Sequence, residues 1–241
     1  MSEHLDVLAI GAHPDDVEIA CGGTVALLAQ QGLRVGILHL TRGEMGTRGT
    51  PEERQQEAEA AAAALGAASL QYLDCADGGL RTTEAEEDAL IEVLRQRRPE
   101  MVLGPTPSDR HPDHGRAHAL VRDACFYSGL ARRGQGEAHR PAVVYSYMQH
   151  DPFTPSFVVD VSEVWEARMA SLAAYKSQLF QQGENRDEPA TKVASQAYRE
   201  AIVGRARHFG LMIGAEFGEP FWSRQPVPVD SPWSLLPKRL R

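Results

Sequence analysis

Apolar positions recur along the chain in short blocks, separated by longer amphipathic stretches, and this alternation sets the element order. Residues 5–11, LDVLAIG, form a short and mostly apolar run, the pattern of a strand buried on both faces. A helix is expected over 22–31, with Gly22 and Gly23 at its start and Gly32 at its end. Residues 33–40, LRVGILHL, read as the second strand. The polar loop TRGEMGTRGT then leads to Pro51, which opens an Ala-rich helix over 51–65 that Gly66 stops. A strand over 69–73, a turn at 77–79 and a helix over 83–98, capped by Thr83 and ended by Pro99, follow. Residues 101–104 are a strand, and the loop PTPSDRHPDHG enters a helix running to about residue 127. Strands are expected over 142–147 and 157–161, and helices over 164–180 and about 191–210, separated by a polar loop at 181–189. The Pro-rich tail beyond residue 219 reads as surface-packed chain.

Strands alternate with helices through the first half. That order predicts βαβ units with right-handed crossovers: an α/β chain with a mostly parallel sheet flanked by helices. The length, 241 residues, suits a single domain, with a core over about 5–221 and a C-terminal tail over 222–241.

Composition narrows the function classes. Apolar residues make up 42% and charged residues 24%, ordinary values for a globular chain, and no apolar run is long enough to span a bilayer. The first residues carry no basic segment and no cleavage site, so a cytoplasmic location is expected. The net charge of −8 argues against a nucleic-acid or anionic-membrane surface, but leaves room for a local basic group that meets an acidic small molecule. Cys21, Cys75 and Cys125 are odd in number and scattered, and read as reduced thiols. The segment GAHPDDVEIACGG lacks the GxGxxG spacing, and its carboxylates would repel a pyrophosphate, which argues against a dinucleotide site.

Two polar clusters fall at strand ends, where open α/β sheets place their ligands. One is His13-Pro14-Asp15-Asp16; the other is His111-Pro112-Asp113-His114. Together they offer His13, Asp16 and His114, a two-His, one-carboxylate set with an open fourth position, the pattern of a catalytic zinc centre. Asp15 and His111 then remain for acid/base work on the attacking water. Blander assignments stand beside these. Asp15 and Asp16 are also good helix caps, and Asp109 or Ser108 could cap the helix near Pro112. His39 sits inside an apolar strand and reads as a hydrogen-bonded core histidine. His118, one turn after His114, reads as a satisfied packing group.

The stretches GAHPDDVEIACGGT, LTRGEMGTRGTPEERQQEAEAAAAALG and SDRHPDHGRAH resemble the LmbE-like (PIG-L) family of zinc-dependent N-acetylglucosamine deacetylases. PSFVVDVSEVWEARMASLAAYKSQ and GAEFGEPF are similar to its bacillithiol-biosynthesis branch. The resemblance implies a Rossmann-like α/β fold with one zinc on His13, Asp16 and His114; a His/His/Asp site also tolerates iron(II), so the metal in the cell follows availability. It implies Asp15 as the base and His111 as the group that steadies the oxyanion or acts as acid. The substrate it implies is N-acetylglucosaminyl-malate, hydrolysed to glucosaminyl-malate and acetate. Arg54, Glu44 and Asp77 match sugar-side positions, and Arg54 and Arg110 are candidates for the malate carboxylates. Family members also use a mobile Tyr or Arg, for which Tyr198, Arg140 and His150 are the candidates here. Some are hexamers, so a homo-oligomer is expected. Other substrates the family admits are another N-acetyl sugar or a thiol S-conjugate amide. A non-catalytic metal- or sugar-binding module is the alternative of a different class.

Overall fold

The computed structural model describes residues 4–179, 189 and 191–236. Seven strands form one sheet: β1 (Val7–Gly11), β2 (Val35–His39), β3 (Ser69–Tyr72), β4 (Met101–Gly104), β5 (Val143–Tyr147), β6 (Phe157–Asp160) and β7 (Gly218–Ser223), in the order β3-β2-β1-β4-β5-β7-β6. Six helices accompany them: α1 (Asp16–Gln30), α2 (Pro51–Ala64), α3 (Glu84–Arg97), α4 (Pro112–Tyr127), α5 (Trp165–Ala174) and α6 (Gln196–Ile213). The first five strands in sheet order run parallel, while β7 runs antiparallel to both β5 and β6. The mostly parallel α/β sheet expected from the alternation is the one observed.

All five residues of β1 are buried, and successive side chains leave the sheet on opposite faces. Val7 and Ala9 join a core built with Val17, Cys21 and Val25 of α1 and with Trp165 of α5. Leu8 and Ile10 join the other core, with Leu90 and Leu94 of α3 and Leu120 and Val121 of α4. Each fully buried Leu or Ile stabilises the fold by about 1.5–3 kcal/mol, and truncating Ile10 to Ala would cost about 2–5 kcal/mol.

The chain leaves β1 for β2 on one side, and β4 lies on the other. The strand order therefore reverses between β1 and β4, and a crevice opens outside their carboxyl ends. The loops after these two strands carry the two histidine clusters.

Four expectations change. The Gly22–Gly23 pair does not start α1; the helix begins at Asp16 and kinks at Cys21, whose φ of −142° and ψ of 21° are not helical. Glu219 closes the break from a distance: its Oε1 accepts from Gly23 N (2.9 Å), and its Oε2 accepts from Thr24 N (2.7 Å) and Oγ1 (2.6 Å). These are N-cap bonds made from another element to a helix start that local sequence leaves uncapped. At Gly23 a Cβ would lie 2.9 Å from that same Oε1, so the residue must be small.

The chain beyond residue 219 is not surface-packed; 218–223 is strand β7. Pro220 hides it, since proline reads against a strand, but pairing with β5 begins only at Phe221, so Pro220 is flanked by β6 alone. The helix expected over 164–180 is a 3-10 turn at Ser162–Val164 followed by α5, which ends where Tyr175 turns to ψ 65°. Phe180 and, Pro189 aside, the loop at 181–189 lie outside the described residues. The last helix is α6, capped by Ser195, whose hydroxyl accepts from Tyr198 N, and so it begins later than expected.

Candidate active site

β1 delivers the first cluster and α1 receives it. Asp15 occupies the N-cap position of α1 but makes no cap bond. Its φ of 100° lies in the left-handed region, which costs a non-glycine residue about 1–3 kcal/mol and persists only where the surroundings enforce it. That twist separates neighbouring carboxylates. Asp16 turns inward, where its Oδ2 accepts from His13 N (2.8 Å) and its Oδ1 accepts from Gln149 Nε2. Asp15 makes no side-chain hydrogen bond among the described residues.

β4 delivers the second cluster through a loop that enters α4. His111, rather than Asp109 or Ser108, caps that helix: its Nδ1 accepts from Asp113 N at 3.3 Å. The accepted bond assigns the His111 proton to Nε2. His114, one turn into α4, is buried, and its Nδ1 lies 2.9 Å from Asp109 Oδ1. Asp109 is itself fixed, since its Oδ1 accepts from His111 N at 3.0 Å and its Oδ2 from His150 N at 2.8 Å.

The clusters meet over the crevice. His114 Nε2 is 3.3 Å from Asp16 Oδ1, and His13 Nδ1 is 3.5 Å from Asp16 Oδ2. The His13 ring lies 4.8 Å from His111 and 5.6 Å from His114, centroid to centroid. On its far side His13 Nε2 is 3.1 Å from Asp77 Oδ1 and 3.5 Å from Asp113 Oδ2, although neither is in line for a hydrogen bond. Donor atoms of His13, His111 and His114 fall within 4.8 Å of one another, as do those of Asp109, His114 and His150 and those of His13, Asp77 and Asp113.

The electrostatics follow from this crowding. Burial alone would lower the His13 imidazole, but Asp113, Asp16 and Asp77 raise it well above its ordinary value. His114 is raised to about 9: burial opposes the change, and Asp16 and Asp109 drive it. Burial would raise Asp16, yet the His114 and His13 imidazoles hold it well below the carboxylate range. Burial and the Asp16 charge push Asp15 up to about 7, against the pull of Arg54. His111 is lowered by burial and by the two neighbouring imidazoles.

Residues 8–125 match the family model described as PIG-L: GlcNAc-PI de-N-acetylase. The diacetylchitobiose deacetylase of Thermococcus kodakarensis is 32% identical over 188 residues, covering 71% of this chain and 69% of that protein. The chain belongs to the PIG-L family. A probable N-acetyl-alpha-D-glucosaminyl L-malate deacetylase of Bacillus cereus is 28% identical over 186 residues, covering 71% of the PIG-L chain and 83% of the relative. Among solved structures, the conserved protein TT1542 from Thermus thermophilus superposes with a TM-score of 0.86 at 38% identity, covering 95% of this chain and 98% of that one. The PIG-L chain is accordingly a deacetylase of N-acetylglucosamine-containing substrates, a hydrolase of N-acetyl amides in a metal-dependent family.

The donor set fits a cation. Each imidazole of the pair turns one nitrogen toward an outer carboxylate, Asp109 for His114 and Asp77 with Asp113 for His13, and the other toward Asp16. The hydrogen bond to Asp109 fixes the His114 tautomer and leaves its inner nitrogen's lone pair for a metal, while Asp77 and Asp113 act on His13 through charge. The inner carboxylate and two inner nitrogens then match the donors zinc takes.

The other expected residues in this PIG-L site divide into three groups. Glu44 and Asp77 clip two loops together: Glu44 Oε1 accepts from Asp77 N (2.8 Å), and Asp77 Oδ2 accepts from Met45 N (2.9 Å). Arg54 is buried, with Nη1 donating to Gly43 O and Nη2 to Pro14 O (3.1 Å), so both ends of its fork hold main chain beside Asp15. Gly43 permits this with a φ of +66°, in a space where a Cβ would collide with that guanidinium. Arg110 is exposed and has no hydrogen-bond partner among the described residues.

Of the three mobile-residue candidates, two reach the site. The His150 ring stacks on His114 at 5.6 Å and 13°, and its Nδ1 is 3.3 Å from the Tyr198 hydroxyl. Arg140 does not reach it; it donates to Phe126 O at the far end of α4. His118 is satisfied by Pro105 O, as a packing role requires. His39 is buried, but neither ring nitrogen finds a protein partner, contrary to the hydrogen bond expected. The sequence reading missed Asp109, Asp113 and Gln149. The first two stand within the SDRHPDHG motif and could have been read as carboxylates that orient its histidines, whereas no sequence signal marks Gln149, 133 residues from Asp16.

Proposed function

We propose that the protein hydrolyses the N-acetyl group of N-acetylglucosaminyl-malate, giving glucosaminyl-malate and acetate, with one zinc ion held by His13, Asp16 and His114. The observation that carries the reading is a fixed, hydrogen-bonded Asp16 between two imidazoles, beside an Asp15 carboxylate that accepts no hydrogen bond from a described residue. A non-catalytic binding module has no use for that second carboxylate. When bound, the metal supplies a Lewis acid that polarises the acetyl carbonyl and acidifies the attacking water.

The chain's own residues do the rest. Asp15, whose carboxylate accepts no hydrogen bond from a described residue, takes a proton from the attacking water. His111, with its proton on Nε2, donates a hydrogen bond to the oxyanion of the tetrahedral intermediate, and losing one such donor typically costs about 2.7–4 kcal/mol of barrier. The leaving amine receives its proton from Asp15 or from His111. Arg54 anchors the loop that faces the sugar, and Asp77 and Glu44 shape that wall. Arg110, exposed and unpartnered among the described residues, supplies the guanidinium for a malate carboxylate.

The malate conjugate is favoured by the Bacillus cereus relative, and a chitooligosaccharide is the second reading, favoured by the Thermococcus relative. Zinc-loaded protein is to be assayed for free-amine release from N-acetylglucosaminyl-malate, diacetylchitobiose and plain N-acetylglucosamine, each beside an EDTA-treated control. Fast, metal-dependent release from the malate conjugate alone is expected. Preference for diacetylchitobiose would overturn the malate assignment and leave the metal chemistry standing.

A further inference from the structure

A groove of about 660 Å³ lies between α4, β5 and the segment 222–228, and none of the residues around the two histidine clusters lines it. Its size suits a small organic molecule. Its charge runs against the composition of the chain: Arg122, Arg140 and Arg224 line it, and no Asp or Glu does among the described residues, in a protein with 33 acidic against 25 basic residues. The three guanidiniums come from three different parts of the chain, namely α4, the loop before β5 and the segment after β7.

Their existing bonds leave capacity. Arg224 makes no hydrogen bond or ion pair with a described residue. Arg140 donates one bond, Nη2 to Phe126 O at 2.8 Å, and lies 4.5 Å from the Phe126 ring centroid. Arg122 is held by its neighbour Asp123 at 2.7 and 2.9 Å. Val121, Val144, Trp222 and Pro226 supply apolar walls, and Phe126, at 54% exposed, adds an aromatic surface open to solvent. His118 donates from Nδ1 to Pro105 O at 2.9 Å, which leaves Nε2 as an acceptor in the lining. Cys125 is 4% exposed and its thiol is pushed up to about 12 by burial, so it is not the nucleophile of a reaction in the groove.

We propose that this groove binds a small organic anion, with a planar or apolar body on the Phe126–Trp222 walls and a phosphate or carboxylate head on Arg224 and Arg140. Guanidinium forks match both head groups in geometry and charge, and aromatic walls favour a flat body.

The test uses 8-anilinonaphthalene-1-sulfonate as a flat anionic probe and N-phenyl-1-naphthylamine as its neutral counterpart, on the metal-loaded full chain. One sulfonate probe should bind per chain, at least tenfold more tightly than the neutral one. The pair of exposed substitutions Arg140→Gln and Arg224→Gln should weaken it at least tenfold while leaving acetate release unchanged. Displacement by phenyl phosphate more readily than by benzoate assigns a phosphate head, and the reverse order a carboxylate head. Equal affinity in the double variant, equal binding of the neutral probe, displacement by N-acetylglucosamine, or displacement by neither anion would each overturn the proposal.

Discussion

Asp16 and Glu219 are both buried carboxylates joined to α1, at 2% and 1% exposed. Asp16 sits at the first turn of the helix, and Glu219 closes the break within it. Glu219 accepts from two main-chain amides and a hydroxyl and lies 2.8 Å from the Arg168 guanidinium, so its partners are permanent parts of the fold. Asp16 is flanked by two imidazoles whose protons can leave. A buried charge with fixed partners is architecture. A buried charge whose partners can surrender protons is a place for a cation to enter.

Breaking the two carboxylates separately should show this division. Asp16→Ala should lose the metal, with stoichiometry by elemental analysis falling from one toward zero and turnover falling to background. Unchanged metal content would sink the ligand set. Asp15→Gly should keep the metal and lower turnover by about 10²–10⁴-fold, the usual contribution of a general base. Because it relieves a left-handed backbone, the same variant should be more stable than the parent by about 1 kcal/mol in denaturant titration. Wild-type turnover in Asp15→Gly would remove Asp15 from the chemistry.

Glu219→Gln should do the opposite. It leaves Arg168 buried without its counter-charge, at a cost of about 3–5 kcal/mol, or a fall of roughly 6–20 °C in Tm for a chain of this size. Well below that Tm it should still bind one metal. A loss of metal in the folded variant would merge the two roles that the comparison separates.

Protons sharpen the contrast further. A metal must displace the protons that His114 holds up to about 9 and that His13 holds well above its ordinary value. Metal affinity should therefore rise with pH toward 9, and calorimetry at pH 7 in buffers of different ionisation heat should register about two protons released per ion. Glu219 has no such linkage to the metal.

The smallest effect belongs to His39, which burial lowers to about 3. The unfolded chain binds a proton near 6.5 that the folded chain refuses, so stability falls as pH drops from 6.5 toward 3, by about 1.4 kcal/mol per pH unit. His39→Gln should flatten that slope in urea titrations across this range. An unchanged slope would show that the ring is solvated.

Sequence legibility follows the same division. Strand β1 and the HPDD and HPDHG clusters were readable because each is local: an apolar run hands over to polar residues at its end, and alternating elements put both ends on one side of a parallel sheet. Glu219 was not readable, since its partners lie 196 residues earlier and Pro220 disguises its strand. The Gly22–Gly23 pair was misread for the same reason: its cap comes from β7 rather than from a neighbouring residue. Asp109 and Asp113 stood inside a motif already noticed, but their function depends on which way two imidazole rings turn, and only the fold decides that.

The reach of Glu219 also bears on the order of assembly. α1 carries Asp16 at its head, and its second half receives its cap from β7, which leaves the ribosome after every other strand described here. A nascent chain that stops before residue 219 has both histidine clusters and all five parallel strands, yet its first helix still ends in a ragged break. Contacts this distant in sequence close late in folding. The second half of the first helix should therefore settle only as the final segment docks, which ties completion of α1 to completion of the chain.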